Sequence, residues 1–266
     1  PEDIVLEAEN LVARGVREII LIGQDTTAYG KDLKNRPLLS GLLTDVSAVS
    51  GLRRLRLLYA HPAHVTTGVL ETMASRENIC RYLDLPIQHI DDAILNAMKR
   101  KVNAAEIRQV IAQIRHIIPD VALRTSLITG FPGETPARFN RMLDFVRQTR
   151  FDHLGVFTYS REEGTEAAGL RYHVPEKEKE RRRETIMHDQ MEISASINTS
   201  LIGSVQEVII EGKSDRPDYP YIGRCRRQAP EIDGVTYLRG GIPKAGTILD
   251  CRIIAADDYD LYAEIL

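Results

Sequence analysis

The amino-acid sequence predicts an α/β fold, an open and partial TIM-like barrel, followed by a small all-β barrel. Three observations carry that reading. Strand and helix signals alternate five times between residues 1 and 160, which argues for a parallel sheet with helices outside. A closed eightfold barrel takes about 250 residues, so five units leave the barrel open. Beyond Gly203 the chain turns to short β runs split by Gly, Pro and Asp, the pattern of a small closed β domain.

The elements follow in order. "PEDIVLEAENLVARG" opens the chain as a helix, with Pro1 and two acids in its first turn, a stripe of Ile4, Val5, Ala8, Leu11 and Val12, and Gly15 as a stop. A strand normally precedes the first helix of such a fold, so the chain is expected to lack that first strand and to begin inside a longer protein. "VREIILIGQD" reads as a buried strand, "PLLSGLLTDVSAV" as a helix with Pro37 at its first position, "LRRLRLLYAHP" as a strand and "AHVTTGVLETMAS" as a helix. "RYLDLPIQH" is a strand broken at Pro86. "DDAILNAMKR" and "NAAEIRQVIAQIRHII" are helices, the second capped by Asn103. "VALRTSLITG" is a strand, "TPARFNRMLDFVRQTR" a helix with Thr135 as cap and Pro136 at N1, and "FDHLGVFTYS" the last strand.

A long charged helix, "PEKEKERRRETIMHDQMEISASINTSLIG", comes next. Its "KEKERRR" cluster reads as a solvated face of paired glutamates and arginines. The domain boundary is placed between residues 198 and 199, giving units 1–198 and 199–266. Within the second, Asp233-Gly234 is a hairpin signal.

Lys and Arg number 35 against 38 Asp and Glu, a net charge of −3, so no global charge favours nucleic acid or an anionic membrane. No apolar run reaches the roughly 18 residues of a membrane span, and no secretory signal is seen. Cys80, Cys225 and Cys251 are far apart and odd in number, which suits a reducing cytoplasm. A cytoplasmic location without a membrane partner is expected. No Cys-x-x-Cys, His-Glu-x-x-His or Gly-x-Ser-x-Gly occurs, so neither a metal ligand nor a catalytic residue is assigned.

Ligands of parallel α/β folds sit at the carboxyl ends of strands. Those ends are "GQDTTAYG", "YAHP", "PIQH", "TGFPGE" and "TYSREEGT", rich in hydrogen-bonding side chains without strong nucleophiles. "GFPGE" has neither the Gly-Lys-Ser/Thr of a phosphate loop nor a third glycine, which argues against phosphate. Gly130 and Gly133 permit close backbone approach, and Phe131 and Pro132 form an apolar shelf. A flat base against the backbone and a plain tight turn both fit.

"LIGQDTTAYG", "YLDLPIQH", "AMKRK", "ITGFPGET" and "REEGTEA", followed by a small β-barrel, resemble the radical S-adenosylmethionine (SAM) methylthiotransferases over essentially the whole chain. Gln-Asp-Thr and Glu-Glu-Gly-Thr resemble the RimO-type branch, which acts on an aspartate of ribosomal protein S-twelve, and the C-terminal module resembles its TRAM domain. The resemblance implies a SAM cofactor and two 4Fe-4S clusters in the full-length protein, one cluster cleaving SAM to a radical that abstracts hydrogen from carbon. It implies that "GFPGE" (Gly130, Phe131, Pro132, Gly133 and Glu134) lies against the adenine. It places Gln24, Asp25, Gln88, Arg124 and Thr158 on the same pocket. Arg124, inside a strand, is expected to be paired or aimed at a carboxylate.

The family's Cys-x-x-x-Cys-x-x-Cys loop is expected just before Pro1, with a further cluster domain before it. The three cysteines present do not match that spacing, so this chain alone is expected to be colourless and inactive. Two other readings stay open: a tRNA methylthiotransferase of the same family, and a non-catalytic binding module. Between Thr199 and Leu266 eight Lys or Arg face eleven Asp or Glu, which fits a basic small-subunit ribosomal protein better than RNA. Arg224, Arg226 and Arg227 are the one local basic spot.

Overall fold

A computed structural model describes residues 1–32 and 38–266. Five strands, β1 (Glu18–Leu21), β2 (Arg54–Leu57), β3 (Ile79–Asp84), β4 (Ala122–Thr129) and β5 (His153–Thr158), form one sheet in chain order. Every neighbouring pair is parallel, as five short strands joined by helical crossovers require. Helix α1 (Glu2–Ala13) leads into β1. Helices α2 (Leu39–Ser47), α3 (Thr67–Ser75), α4 (Asp92–Ala97), α5 (Ala104–Ile117) and α6 (Pro136–Thr149) fill the crossovers.

The start signals read from the sequence act locally. Asn103 and Glu106 form a reciprocal capping box on α5, and Thr135 caps α6 with Pro136 at its first turn; each satisfies backbone donors the helix leaves open. The third helix is shorter than expected. Pro62–His64 is a single 3₁₀ turn, and α3 starts only after Thr66, whose hydroxyl accepts from Val69 N–H. Pro37, expected at the start of α2, lies outside the described residues.

Strand β2 reads Arg-Leu-Arg-Leu, and all four side chains are buried. Leu55 and Leu57 join the core under the helices with Leu43, Leu70, Met73, Leu83 and Phe145. Alternation along a strand sends Arg54 and Arg56 to the opposite face, which the second domain covers. Helix α7 (Glu176–Ser200) lies on β5, where Ile186 and Ile193 are buried and the Gln190 amide donates to Phe151 O (2.8 Å). Its basic cluster corrects the expectation of a solvated face. Arg181 and Arg183 do pair at the surface with Glu178 and Glu180. Lys179 and Arg182, however, turn inward and are 2% and 3% exposed.

Strands β6 (Val205–Arg216), β7 (Tyr219–Cys225), β8 (Thr236–Arg239), β9 (Ile248–Ala256) and β10 (Leu261–Ile265) close a small barrel in the order β10-β8-β7-β6-β9. Val208, Ile210, Leu238, Ile253 and Leu261 fill it, with Cys225 and Cys251 buried among them. The hairpin signal was misplaced. The tight turn is Pro217-Asp218, closed by the Arg216–Tyr219 pair. Asp233-Gly234 lies in a longer loop, where a Cβ at residue 234 would fall 1.9 Å from Tyr259 O. That glycine therefore serves close packing rather than a turn.

The two domains meet across a buried polar seam. Glu18 accepts from Arg56 Nε (2.9 Å) and Arg224 Nη2 (2.9 Å). Arg54 donates to the backbone carbonyls of Arg224 and Glu207 (2.9 and 2.7 Å). Arg226 pairs with Glu207, and Arg227 with Asp152. The Tyr82 hydroxyl donates to Asp233 (2.7 Å).

Candidate active-site cavity

Where the five strands end, the chain encloses a cavity of about 400 Å³, within the range of small-molecule sites. Gln24 follows β1, Tyr59 and His61 follow β2, and Gln88 follows β3. Arg124, Ser126 and Ile128 come from β4, Phe157 from β5, and Arg100 from the end of α4. Ile232 enters from the small barrel's long loop. A second cavity of about 450 Å³ shares Gln88, Arg100 and Ile128 with the first and is closed by Phe131 and Tyr159.

Two of these residues hold backbone conformations that favour glycine: Tyr59 at φ 56° and Gln88 at φ 69°. Such strain persists only where the surroundings over-determine it. Gln88 N–H donates to Ser126 O (2.9 Å), and Gln88 O accepts from Ile128 N–H (2.8 Å). Tyr59 N–H donates to Asp84 Oδ2 (3.1 Å). Both side chains are thereby fixed on the cavity wall.

Arg124 is fully compensated. Its Nη1 donates to Asp84 Oδ1 (2.9 Å) and Ser126 Oγ (3.3 Å), and its Nε lies 3.4 Å from Asp233 Oδ1. Burial works against the charge, but the two carboxylates outweigh it and hold the guanidinium's pKa above its ordinary value. His61 is pushed down to about 4, first by burial and then by the nearby Arg100 charge. Its Nδ1 accepts from Ala63 N–H (3.1 Å), which leaves the ring proton on Nε2.

The expected site residues divide into three groups. Gln24, Gln88 and Arg124 line the first cavity and Phe131 the second. Asp25 does not line either: its carboxylate accepts from the Thr27 hydroxyl and pairs with His64 Nδ1 (2.5 Å). Burial opposes ionisation of Asp25, yet those two partners hold its pKa below the usual range. Thr158 is turned away as well, because alternation along β5 puts Phe157, 59% exposed, on the cavity side. Thr158 is off the cavity by one residue of strand phase, whereas Asp25 stands in the loop after β1, where Thr27 and His64 turn its carboxylate aside.

The remaining four form a braced loop. Glu134, 3% exposed, accepts from Gly130 N–H (3.0 Å) and from Arg182 Nη1 (2.7 Å). Gly130, at φ +75°, packs against the Lys179 side chain, where a Cβ would meet Cγ at 2.1 Å. Pro132 is buried, and Gly133 N–H donates to Tyr172 O (2.9 Å). What the loop offers the cavities is Phe131, set edge-on to Tyr159 at 5.1 Å, next to the wall that Ile128 of β4 provides. Sequence reasoning missed Tyr59 and Arg100 as individuals, although "YAHP" and "AMKRK" contain them, and weighed His61 only as a metal ligand. Ile232 gave no signal, since it comes from the other domain.

The open parallel barrel with its ligand rim has its counterpart among known families. The family model described as the Radical SAM superfamily matches residues 1–146, and the chain belongs to that superfamily. A TRAM domain model matches residues 202–266. The chain is 56% identical, over 269 residues, to the ribosomal protein uS12 methylthiotransferase RimO of Syntrophus aciditrophicus, and 47% identical, over 265 residues, to that of Geobacter sulfurreducens. Each alignment covers 100% of this chain and 59% of the relative, so the chain spans about three fifths of their length. Escherichia coli coproporphyrinogen III oxidase HemN, a radical SAM enzyme, shares the fold at a TM-score of 0.52 and 18% identity, over 74% of this chain and 45% of that one.

Proposed function

We propose that this chain is the SAM-binding and target-facing part of a methylthiotransferase acting on the β-carbon of an aspartate in a small-subunit ribosomal protein. The observation that carries the reading is the 56% identity along the whole chain to a relative of that name. The site fits a nucleoside cofactor: apolar Ile128, Phe131 and Phe157 face hydrogen-bonding Gln24, Gln88 and Ser126. For an iron–sulfur cluster the described residues offer no set of three cysteines, since Cys225 and Cys251 are buried in the core of the small barrel and Cys80 elsewhere, beside Tyr82 and Ala122. Cluster ligands therefore belong to the longer protein.

A bound cluster and SAM supply hydrogen abstraction from carbon. This chain's residues position and exclude. Gln24 and Gln88 hydrogen-bond the ligand, and Ile128 and Phe131 give its base an apolar wall. The braced "GFPGE" loop keeps that wall rigid through Glu134, Arg182 and Lys179. Ile232, from the small barrel, adds an apolar side chain to the cavity lining.

The small barrel takes a basic protein rather than RNA. Arg224, Arg226 and Arg227, its one basic cluster, are engaged by Glu18, Glu211, Glu207 and Asp152, so they do not present a free cationic face. Anaerobic reaction of the longer enzyme with ribosomal protein uS12 and with tRNA tests the reading. Mass gain of one methylthio group on an aspartate peptide is expected. The same gain on tRNA, with none on the protein, would assign the chain to the tRNA-modifying branch.

A further inference from the structure

Strand β5 ends one side of the sheet and pairs with β4 alone. Tyr159 N–H donates to Thr129 O (2.8 Å). That bond sets the phase of the parallel ladder, in which alternate residues turn both backbone groups to the same neighbour. On its other side β4 shows the same phase, since Ser126 O and Ile128 N–H pair with Gln88 (2.9 and 2.8 Å). His153, Gly155 and Phe157 therefore bond β4. Leu154, Val156 and Thr158 turn their N–H and C=O groups to the open edge, where they have no hydrogen-bond partner among the described residues.

An unpaired strand edge is a template for another chain. A cavity of about 280 Å³ runs along this one, lined by His153, Leu154 and Gly155, by Met187 of α7 and by Tyr259 of the small barrel. Consecutive side chains alternate between the faces of a sheet, so one cavity touches all three β5 residues only from the edge. Arg124 and Ile232 line this cavity and the strand-end cavity alike, so the groove leads from the small barrel into the candidate site. Asp233 Oδ1, on the same wall, is buried without a hydrogen-bond partner, and Arg124 Nε is 3.4 Å from it.

We propose that the open edge of β5 is the docking strand for the target protein, whose segment bearing the target side chain adds to it as an extended strand. Main-chain bonds to Leu154, Val156 and Thr158 hold the segment, and alternate side chains turn to the cavity side, where Phe157 and Arg124 stand. From Leu154 to Thr158 the edge is about 13 Å long at ~3.3 Å per residue, enough for about four or five extended residues. Charge fits as well. Tyr259, at the barrel end of the groove, stands among Asp257, Asp258 and Asp260, which attract a basic segment. The methylthiotransferase reading enters only in naming the partner as a basic ribosomal protein.

The test is hydrogen–deuterium exchange of the longer enzyme, resolved to single amides by mass-spectrometric fragmentation, alone, with excess uS12 and with excess tRNA. The Leu154 and Val156 amides are expected to exchange at least tenfold more slowly with uS12 and at the unbound rate with tRNA. Absence of protection by uS12 overturns the docking, as does protection by tRNA instead. Protection already present in the enzyme alone also overturns it, by giving the edge to a segment of the longer protein. Leu154→Pro removes an outward donor and spares the bonds to β4. It should bind uS12 at least tenfold more weakly than Leu154→Ala, which loses the same packing, and equal binding counts against the docking. Thermal melts register any loss of fold, and the exchange of the unmutated enzyme does not depend on either variant. Methylthiolation of uS12 without protection at Leu154 sinks the docking and leaves the function standing. Protection without methylthiolation does the reverse.

Discussion

The seam between the two domains and the strand-end cavity are both polar and both rich in arginine, yet they are built oppositely. In the seam, Glu18 is shared by Arg56 and Arg224, and Arg54 is satisfied by two carbonyls. In the cavity, Arg100 has a carbonyl and no acid, and Tyr59 and Gln88 sit in strained conformations. Compensated charge holds domains together, and uncompensated charge with strain marks where a ligand is awaited. Arg124 stands at the join, in the cavity wall but neutralised by an acid from each domain.

The largest effect expected from breaking this contrast is at Glu18. Glu18→Ala leaves Arg56 and Arg224 buried without their shared acid and should cost about 3–5 kcal/mol in urea unfolding. A loss under ~1 kcal/mol would mean the seam is solvated. Burial raises the Glu18 pKa, but Arg56 and Arg224 overcome it and hold the pKa below 4.5. Its stabilisation is thus present above pH 4.5 and fades as pH falls through the depressed value. Glu18→Gln should flatten that acid limb.

Next in size is the braced loop. Gly130→Ala brings a Cβ onto Lys179 at an unfavourable φ, and a cost of about 2–4 kcal/mol is expected. Gly133→Ala meets only Arg138 Nη1 at 3.6 Å and carries the φ strain alone, about 1 kcal/mol. Equal melting temperatures for the two variants would break the distinction.

A smaller effect is expected from His61. With a folded value of about 4 against 6.5, protonation favours the unfolded chain, so stability should fall as pH drops from 6.5 towards 4. Imidazole shifts followed by NMR should stay those of the neutral ring above pH 5. Titration near 6.5 would place His61 in open solvent. The smallest effect is at the surface pair Arg181–Glu178, where Arg181 is 59% exposed. Arg181→Ala should leave the urea midpoint unchanged within experimental error.

Much of the architecture could be read without coordinates. Alternating helix and strand signals place five parallel strands, because each crossover helix needs a periodic apolar face and a start signal that is local in sequence. Asn103, Thr135 and Pro136 show this directly, since a cap acts within three residues. The texture change after Gly203 marks the barrel for the same reason. Tertiary structure alone decided which residues of each strand end face the ligand, since one residue of phase exchanges Thr158 for Phe157. It decided too that Lys179 and Arg182 of a charged run are buried, that Asp233-Gly234 packs in a long loop rather than a hairpin, and that Arg124 is compensated while Arg100 is not. Whether a buried charge has a partner depends on groups scores of residues away. Asp84 is 40 positions from Arg124, and Glu18 is 206 from Arg224. No local pattern encodes such distances, and only the folded chain brings the charges within reach.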